Sequence, residues 1–193
     1  MIEICRRLLG LLGRIEQALV VLLLVNIVLN ILAQVISRYF FGKPLVWVEE
    51  IATYSFIWGT FLGAALALKY DRHVRIDTFV GHLPPRGAAV ARAVVMLVLV
   101  ILLATFLPAL AAAIEVEMRR SSIALPVQIP SGWFFSVPLT VGVVSMLLTA
   151  LFRLLVELRF AMGGEPPPSI MPPLPEDHDD DAAVEQAMLG GRP

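Results

Sequence analysis

Residues Ala18–Ile36 read ALVVLLLVNIVLNILAQVI, nineteen positions without a charge, preceded by Arg6, Arg7 and Arg14 and followed by Arg38. A helix rises about 1.5 Å per residue, so roughly 20 such residues cross a hydrocarbon core of about 30 Å. The run is too long for the apolar region of a secretory signal, which spans only about 7–15 residues and ends in a small-x-small cleavage site. An uncleaved membrane anchor is the expectation.

Three further runs repeat the pattern, Ile51–Leu68, Ala93–Ile114 and Trp133–Phe152, each again without an internal charge. The whole chain agrees: of its 193 residues 58% are hydrophobic and only 16% charged, with a mean hydropathy of +0.81. Such a composition exceeds what a soluble domain can bury. The runs are continuous and rich in Leu, Ala and Val rather than alternating, so they predict an all-α integral membrane protein of four transmembrane helices and not a barrel. Residues 1–162 read as one four-helix membrane domain. Residues 163–193, GGEPPPSIMPPLPEDHDDDAAVEQAMLGGRP, are Pro-rich and then acidic, and predict a disordered tail.

Basic residues fix the expected orientation. With the N-terminus inside, Arg6, Arg7, Arg14, Lys69, Arg72, Arg75, Arg86, Arg92, Arg153 and Arg159 lie on the cytoplasmic side, against Arg38, Lys43, Arg119 and Arg120 outside. Ten against four predicts both termini in the cytoplasm. The aromatics Tyr39, Phe40, Phe41 and Trp47, with Trp133, Phe134 and Phe135, then form one belt at the outer interface. The net charge of −1 and the absence of a basic stripe speak against a nucleic-acid partner.

Polar residues inside apolar runs carry what chemistry there is. Asn26, Asn30, Gln34 and Arg38 recur every fourth residue and make one slowly turning stripe on the first helix. Amides in lipid seek hydrogen bonds, to neighbouring helices of the same bundle or to another membrane subunit, or else they line a solute path. Small residues recur at the same interval on the second, Ser55, Gly59, Gly63 and Ala67, and let another helix approach closely along that face. Just before it, in GKPLVWVEEI, stand Trp47 and the carboxylates Glu49 and Glu50. Three readings stay open for the pair: favourable placement at the positive end of a helix dipole, an ion pair with a basic residue of a partner, or proton coupling, although coupling carboxylates normally lie deeper in a span. Pro108 is expected to kink the third helix, while Pro138 falls in the first turns of the fourth, where it is tolerated.

The loop KYDRHVRIDTFVGHLPPRG, residues 69–87, holds His73 with Asp71, Asp77 and His82, but its alternating charges and Pro84–Pro85 read as a solvated loop. His178 amid Asp177 and Asp179 to Asp181 reads likewise as a solvated charge run. No histidine lies within a span to ligate a haem. Cys5, the only cysteine, allows no internal disulfide. The motifs of P-loop ATPases, zinc proteases and serine hydrolases are missing, so neither enzyme activity nor a cofactor is expected. An internal repeat of the kind found in stand-alone carriers is missing as well.

The string from Arg38 to Asp77 resembles the small membrane subunit of tripartite ATP-independent periplasmic (TRAP) transporters, the DctQ-like family. The matching pieces are the arginine and aromatics after the first span, WVEE (47–50), FIWGTFLGAALA (56–67) and HVRID (73–77). SSIALPVQIPSGWFFSVPL, residues 121–139, resembles that family's outer loop and fourth-span entry. The likeness extends over about residues 15–160; the acidic Pro-rich tail is not part of the family pattern.

That resemblance implies a multi-pass protein of the bacterial inner membrane, working with a large TRAP membrane subunit that carries the transport path. It also implies a periplasmic solute-binding protein delivering an organic acid, often a carboxylate, with uptake driven by an ion gradient, commonly sodium. The small subunit is then a scaffold, and Glu49, Glu50 and His73 match motif positions with structural or partner-contact roles. Two other classes remain: an independent small exporter or channel, and the anchor subunit of a membrane redox complex.

Overall fold

The computed structural model describes residues 2–43, 45–70, 85–121, 128–164 and 170–171. These residues form four helices: α1, Ile2–Phe40; α2, Val46–Lys69; α3, Pro85–Glu117; and α4, Ser136–Ala161. A 3-10 turn, Ser131–Trp133, precedes α4. All four are long and apolar enough to cross a membrane. The first three apolar runs lie wholly inside their helices. The fourth lies within the continuous helical segment Ser131–Ala161, entering through the 3-10 turn that Trp133 closes before the α-helix begins at Ser136.

Local chemistry explains where the helices stop. After α1 the chain reverses within a few residues, with Gly42 in the left-handed region at φ 64°, where a side chain would be strained. Ser37 pins the reversal, its hydroxyl donating to the Lys43 carbonyl at 2.6 Å. Pro85 opens α3, where its missing N–H leaves no bond unmade. Pro108 lies within α3, which nevertheless continues as one helix to Glu117. Pro138 occupies the first turn of α4, as its position in the sequence suggests. Past α4, Gly163 turns the chain at φ 99°.

In space the helices follow the order α1, α2, α4, α3: α1 packs on α2, α2 on α4 and α4 on α3, while α1 meets α4 only slightly. The α3–α4 seam is apolar, built on Leu103, Leu110 and Val143 with Leu99, Leu139, Met146 and Leu147 around them. One end of this hairpin is tied by hydrogen bonds, the Ser131 amide to the Arg120 carbonyl at 2.8 Å and the Ser136 hydroxyl to the Glu117 carboxylate. Between α2 and α4 the helices approach closely at Gly142, where an added Cβ would stand 2.9 Å from the Phe61 Cβ and 3.0 Å from its carbonyl oxygen. Nearer the start of both helices the Tyr54 ring stacks on Phe134, centroids 3.8 Å apart and planes within 4°.

At the opposite end, Leu9 of α1 packs with Phe152 and Val156 of α4, which puts the start of α1 and the end of α4 on one side of the bundle. Ile170 and Met171 complete this cluster and are themselves buried. Two residues of the stretch expected to be a disordered tail are thus packed into the helices; the rest of that stretch beyond Gly164 lies outside the described residues. His73, Asp71, Asp77 and His82 also lie outside them, as do His178 and its acidic neighbours.

Candidate functional site

Three of the four members of the α1 polar stripe work inside the α1–α2 hairpin. Asn26 donates its amide to the Ser55 hydroxyl at 2.7 Å, and Asn30 donates to the Asn26 carbonyl at 2.7 Å and side-chain oxygen at 3.0 Å. Gln34 accepts the backbone N–H of Leu45 at 3.0 Å, just ahead of α2. Within the chain, Asn26 and Gln34 thus find partners on α2 and just ahead of it. Arg38, the fourth member, is exposed beyond this seam.

The carboxylate pair separates. The Glu50 carboxylate accepts a short hydrogen bond from the Tyr54 hydroxyl one turn on, and Tyr54 is held by Phe134 and, edge-on at 5.7 Å, by Phe135. Glu50 is therefore anchored to the entry of α4. Glu49 and Trp47 instead face outward and are exposed, on either side of buried Val48.

The small-residue stripe of α2 divides as well. Ser55 bonds α1, but a Cβ added at Gly59 or Gly63 would meet nothing within 4 Å. Each step of four residues drifts about 40° round a helix of 3.6 residues per turn, which carries the stripe away from α1. Within this chain the close approach expected of Gly59 and Gly63 belongs to Gly142 instead.

Sequence reasoning missed the most buried polar cluster. Lys69, at the end of α2, donates from Nζ to Glu16 Oε2 of α1 at 2.5 Å and to Ser145 Oγ of α4 at 2.6 Å. Ser145 in turn donates to Glu16 Oε1 at 2.5 Å. Lysine and glutamate side chains are 0% and 3% exposed. Gly13, one turn before Glu16, makes the room: a Cβ there would stand 3.1 Å from Lys69 Cδ and 2.9 Å from the Met171 sulfur. Ser145 lies eight residues, about 12 Å, from Arg153 toward the centre of α4. Two charges at the edges of apolar runs are thus enclosed between three helices.

Below this junction α4 continues a polar stripe of its own, Ser145, Thr149, Arg153 and Glu157 at every fourth residue, all buried. Glu157 accepts from Arg92 of α3 at 2.8 Å. The signal was present in the sequence in the same spacing as the α1 stripe. It was passed over because charges flanking a span read naturally as solvated ends.

A lysine ammonium 2.6 Å from a serine hydroxyl has the spacing of a Ser–Lys nucleophile pair. Here the carboxylate of Glu16 accepts from both groups, so the serine proton is directed away from the lysine. The arrangement stabilises rather than reacts. It closes three helices on one another, and removing one member of such a buried pair costs on the order of 3–5 kcal/mol because the other charge is left uncompensated.

Comparison with known proteins gives this architecture its context. Residues 27–160 match the family model described as tripartite ATP-independent periplasmic transporters, DctQ component. A TRAP transporter small permease protein of Haemophilus influenzae is 32% identical over 133 residues, 68% of this chain and 80% of that protein. The sialic acid TRAP transporter small permease protein SiaQ of Vibrio cholerae is 29% identical over 75 residues, 39% of this chain and 43% of its own length. The sialic acid TRAP transporter permease protein SiaT of Haemophilus influenzae is 36% identical over 56 residues, which are 29% of this chain and 9% of that much longer protein. With four membrane-spanning helices and a family match over most of its length, the chain belongs to the DctQ family, the small inner-membrane permease subunits of TRAP transporters.

Proposed function

We propose that this chain is the scaffold subunit of a TRAP transporter, required for uptake but carrying no solute itself. In this reading a large membrane subunit holds the transport path, a periplasmic binding protein delivers an organic acid, and an inward sodium gradient drives entry. The observation that carries the scaffold role is that buried charges find partners inside the chain, Glu16 with Lys69 and Ser145, and Glu157 with the partly exposed Arg92. Ion- and proton-handling residues in transporters instead face a cavity where their partner can change.

The partner surface follows from what this chain leaves uncovered. α1 keeps most of its apolar circumference exposed, from Val21 through Ile36, and Gly59 and Gly63 open onto empty space. Exposed Glu49 and Trp47 sit at the end of the same hairpin, so Glu49 is the carboxylate offered to a basic residue of the large subunit, while Glu50 is committed to Tyr54. The match to 9% of SiaT supports this reading, since a similar stretch lies there within a far longer permease. In the same reading both termini lie in the cytoplasm, the side toward which the basic residues are biased.

Reconstitution in liposomes tests the proposal. The chain alone, the large subunit alone and the two together are compared under an inward sodium gradient, with the binding protein and a radiolabelled organic acid outside. Uptake is expected only from the pair. Uptake by this chain alone, or undiminished uptake by the large subunit without it, overturns the scaffold role.

A further inference from the structure

The first four turns of α1 contain two faces that the bundle does not use. At 100° per residue Ile4, Leu8, Leu11 and Ile15 fall within a sector of about 60° pointing away from α2 and α4, and all four are exposed. Beside this apolar stripe runs a groove of about 240 Å³ lined by Arg6, Arg7, Gly10, Leu11, Arg14 and Ile170. Arg6, Gly10 and Arg14 are spaced four apart, and helical side chains lean toward the N-terminus, which brings Arg14 down over Gly10. The floor is open because Gly10 has no side chain; a Cβ there would already touch the Ile170 carbonyl at 3.4 Å.

Charge in the groove is unbalanced. Glu3 accepts from Arg6 at 2.7 and 2.9 Å and from Arg7 at 3.2 Å. Among the described residues no carboxylate pairs with Arg14. Three guanidinium groups therefore face one carboxylate among the described residues, and their remaining N–H donors suit the planar, multidentate recognition of phosphate oxygens. Depth distinguishes the source of that phosphate. Leu9 packs against Phe152 and Val156, so Arg6 and Arg7 lie where the apolar run of α4 has just ended, at the level of phospholipid headgroups. The apolar stripe beside them continues upward through Leu19 and Leu22, both exposed, along the path of an acyl chain.

We propose that this groove binds the phosphate of an anionic phospholipid, with the acyl chains lying along Leu8, Leu11 and Ile15. About 30 Å³ is the share of one water in the liquid, so the groove is roomy enough for a phosphate group. The site is independent of the transport reading, because it concerns only how this chain sits in its bilayer.

The experiment uses the full chain, delipidated in mild detergent. Phosphatidylglycerol, phosphatidylcholine and inorganic phosphate are titrated separately, with melting temperature and lipid retention in native mass spectrometry as readouts. Phosphatidylglycerol is expected to raise the melting temperature and to remain bound, with the shift shrinking as salt is added. Replacing Arg6, Arg7 and Arg14 together by Gln should weaken binding roughly fivefold per arginine, whereas Arg38→Gln, at the other end of α1, should leave it unchanged. Arg14→Lys keeps the charge and guards against misfolding; it should bind less tightly than the native chain but more tightly than Arg14→Gln. Equal retention of phosphatidylcholine, an equal shift from inorganic phosphate alone, or undiminished binding by the triple variant each overturns the proposal.

Discussion

Gly142 of α4 faces Phe61 of α2 so closely that a methyl group on the glycine would lie 2.9 Å from the phenylalanine Cβ. Backbone stands behind that contact, with the Phe61 carbonyl oxygen at 3.0 Å, so the neighbour has no flexible end to move aside. Gly142→Ala should cost about 1–3 kcal/mol through overpacking, and Gly142→Leu should sharply lower folded yield. Thermal unfolding in detergent, followed by size-exclusion fluorescence, reads both.

Gly59→Leu and Gly63→Leu test the opposite case. Among the described residues nothing stands within 4 Å of either added Cβ, so the isolated subunit should keep its yield and melting temperature. If the open face receives the large subunit, both variants should instead lower co-purification. A drop in the stability of the isolated chain would contradict the geometry.

The Glu16–Lys69 pair predicts strong non-additivity. Lys69→Met or Glu16→Gln alone removes one partner from a site with side chains 0% and 3% exposed, and each should destabilise the fold by about 3–5 kcal/mol. The double variant Glu16→Gln, Lys69→Met removes both charges and should recover much of the loss. A double-mutant cycle of melting temperatures measures the coupling, and simple additivity would refute the junction.

Glu49→Gln and Glu50→Gln should differ in kind. The first leaves the isolated chain unchanged and weakens co-purification with the large subunit. The second, like Tyr54→Phe, disturbs the contact with Phe134 and Phe135 and lowers the stability of the chain itself. Pull-down yield and melting temperature, measured on the same samples, separate the two effects.

Topology is read by labelling whole cells, after Cys5→Ser removes the exposed native thiol. A cysteine at Ser121 should react with an impermeant maleimide, while one at Gly164 should react only after permeabilisation. The reverse pattern would invert the orientation expected from the basic residues.

The four helices were legible because a bilayer imposes its thickness directly on chain length, and runs such as Ala93–Ile114 satisfy it without ambiguity. Asn26, Asn30 and Gln34 were legible as hydrogen-bonding groups because lipid offers them no alternative. Which neighbour satisfied them was not, since that depends on rotation about the helix axis. For Gly59 and Gly63 the same holds: a spacing of four fixes a stripe but not the direction it faces. Glu16 and Lys69 sit at the edges of apolar runs, and only the three-dimensional placement of Ser145, far away in the chain, reveals that these edges are inside.

The spatial order α1, α2, α4, α3 bears on how the protein is made. Ribosomal synthesis delivers α3 before α4, yet α3 touches neither of the helices that precede it and finds its seam only against Val143 and its neighbours. Glu16 and Lys69 meet early, as consecutive helices, and neutralise one another before Ser145 exists. A chain halted before α4 would therefore hold a closed first hairpin beside a third helix diffusing unpartnered in the membrane, which makes the last helix the step that completes the subunit.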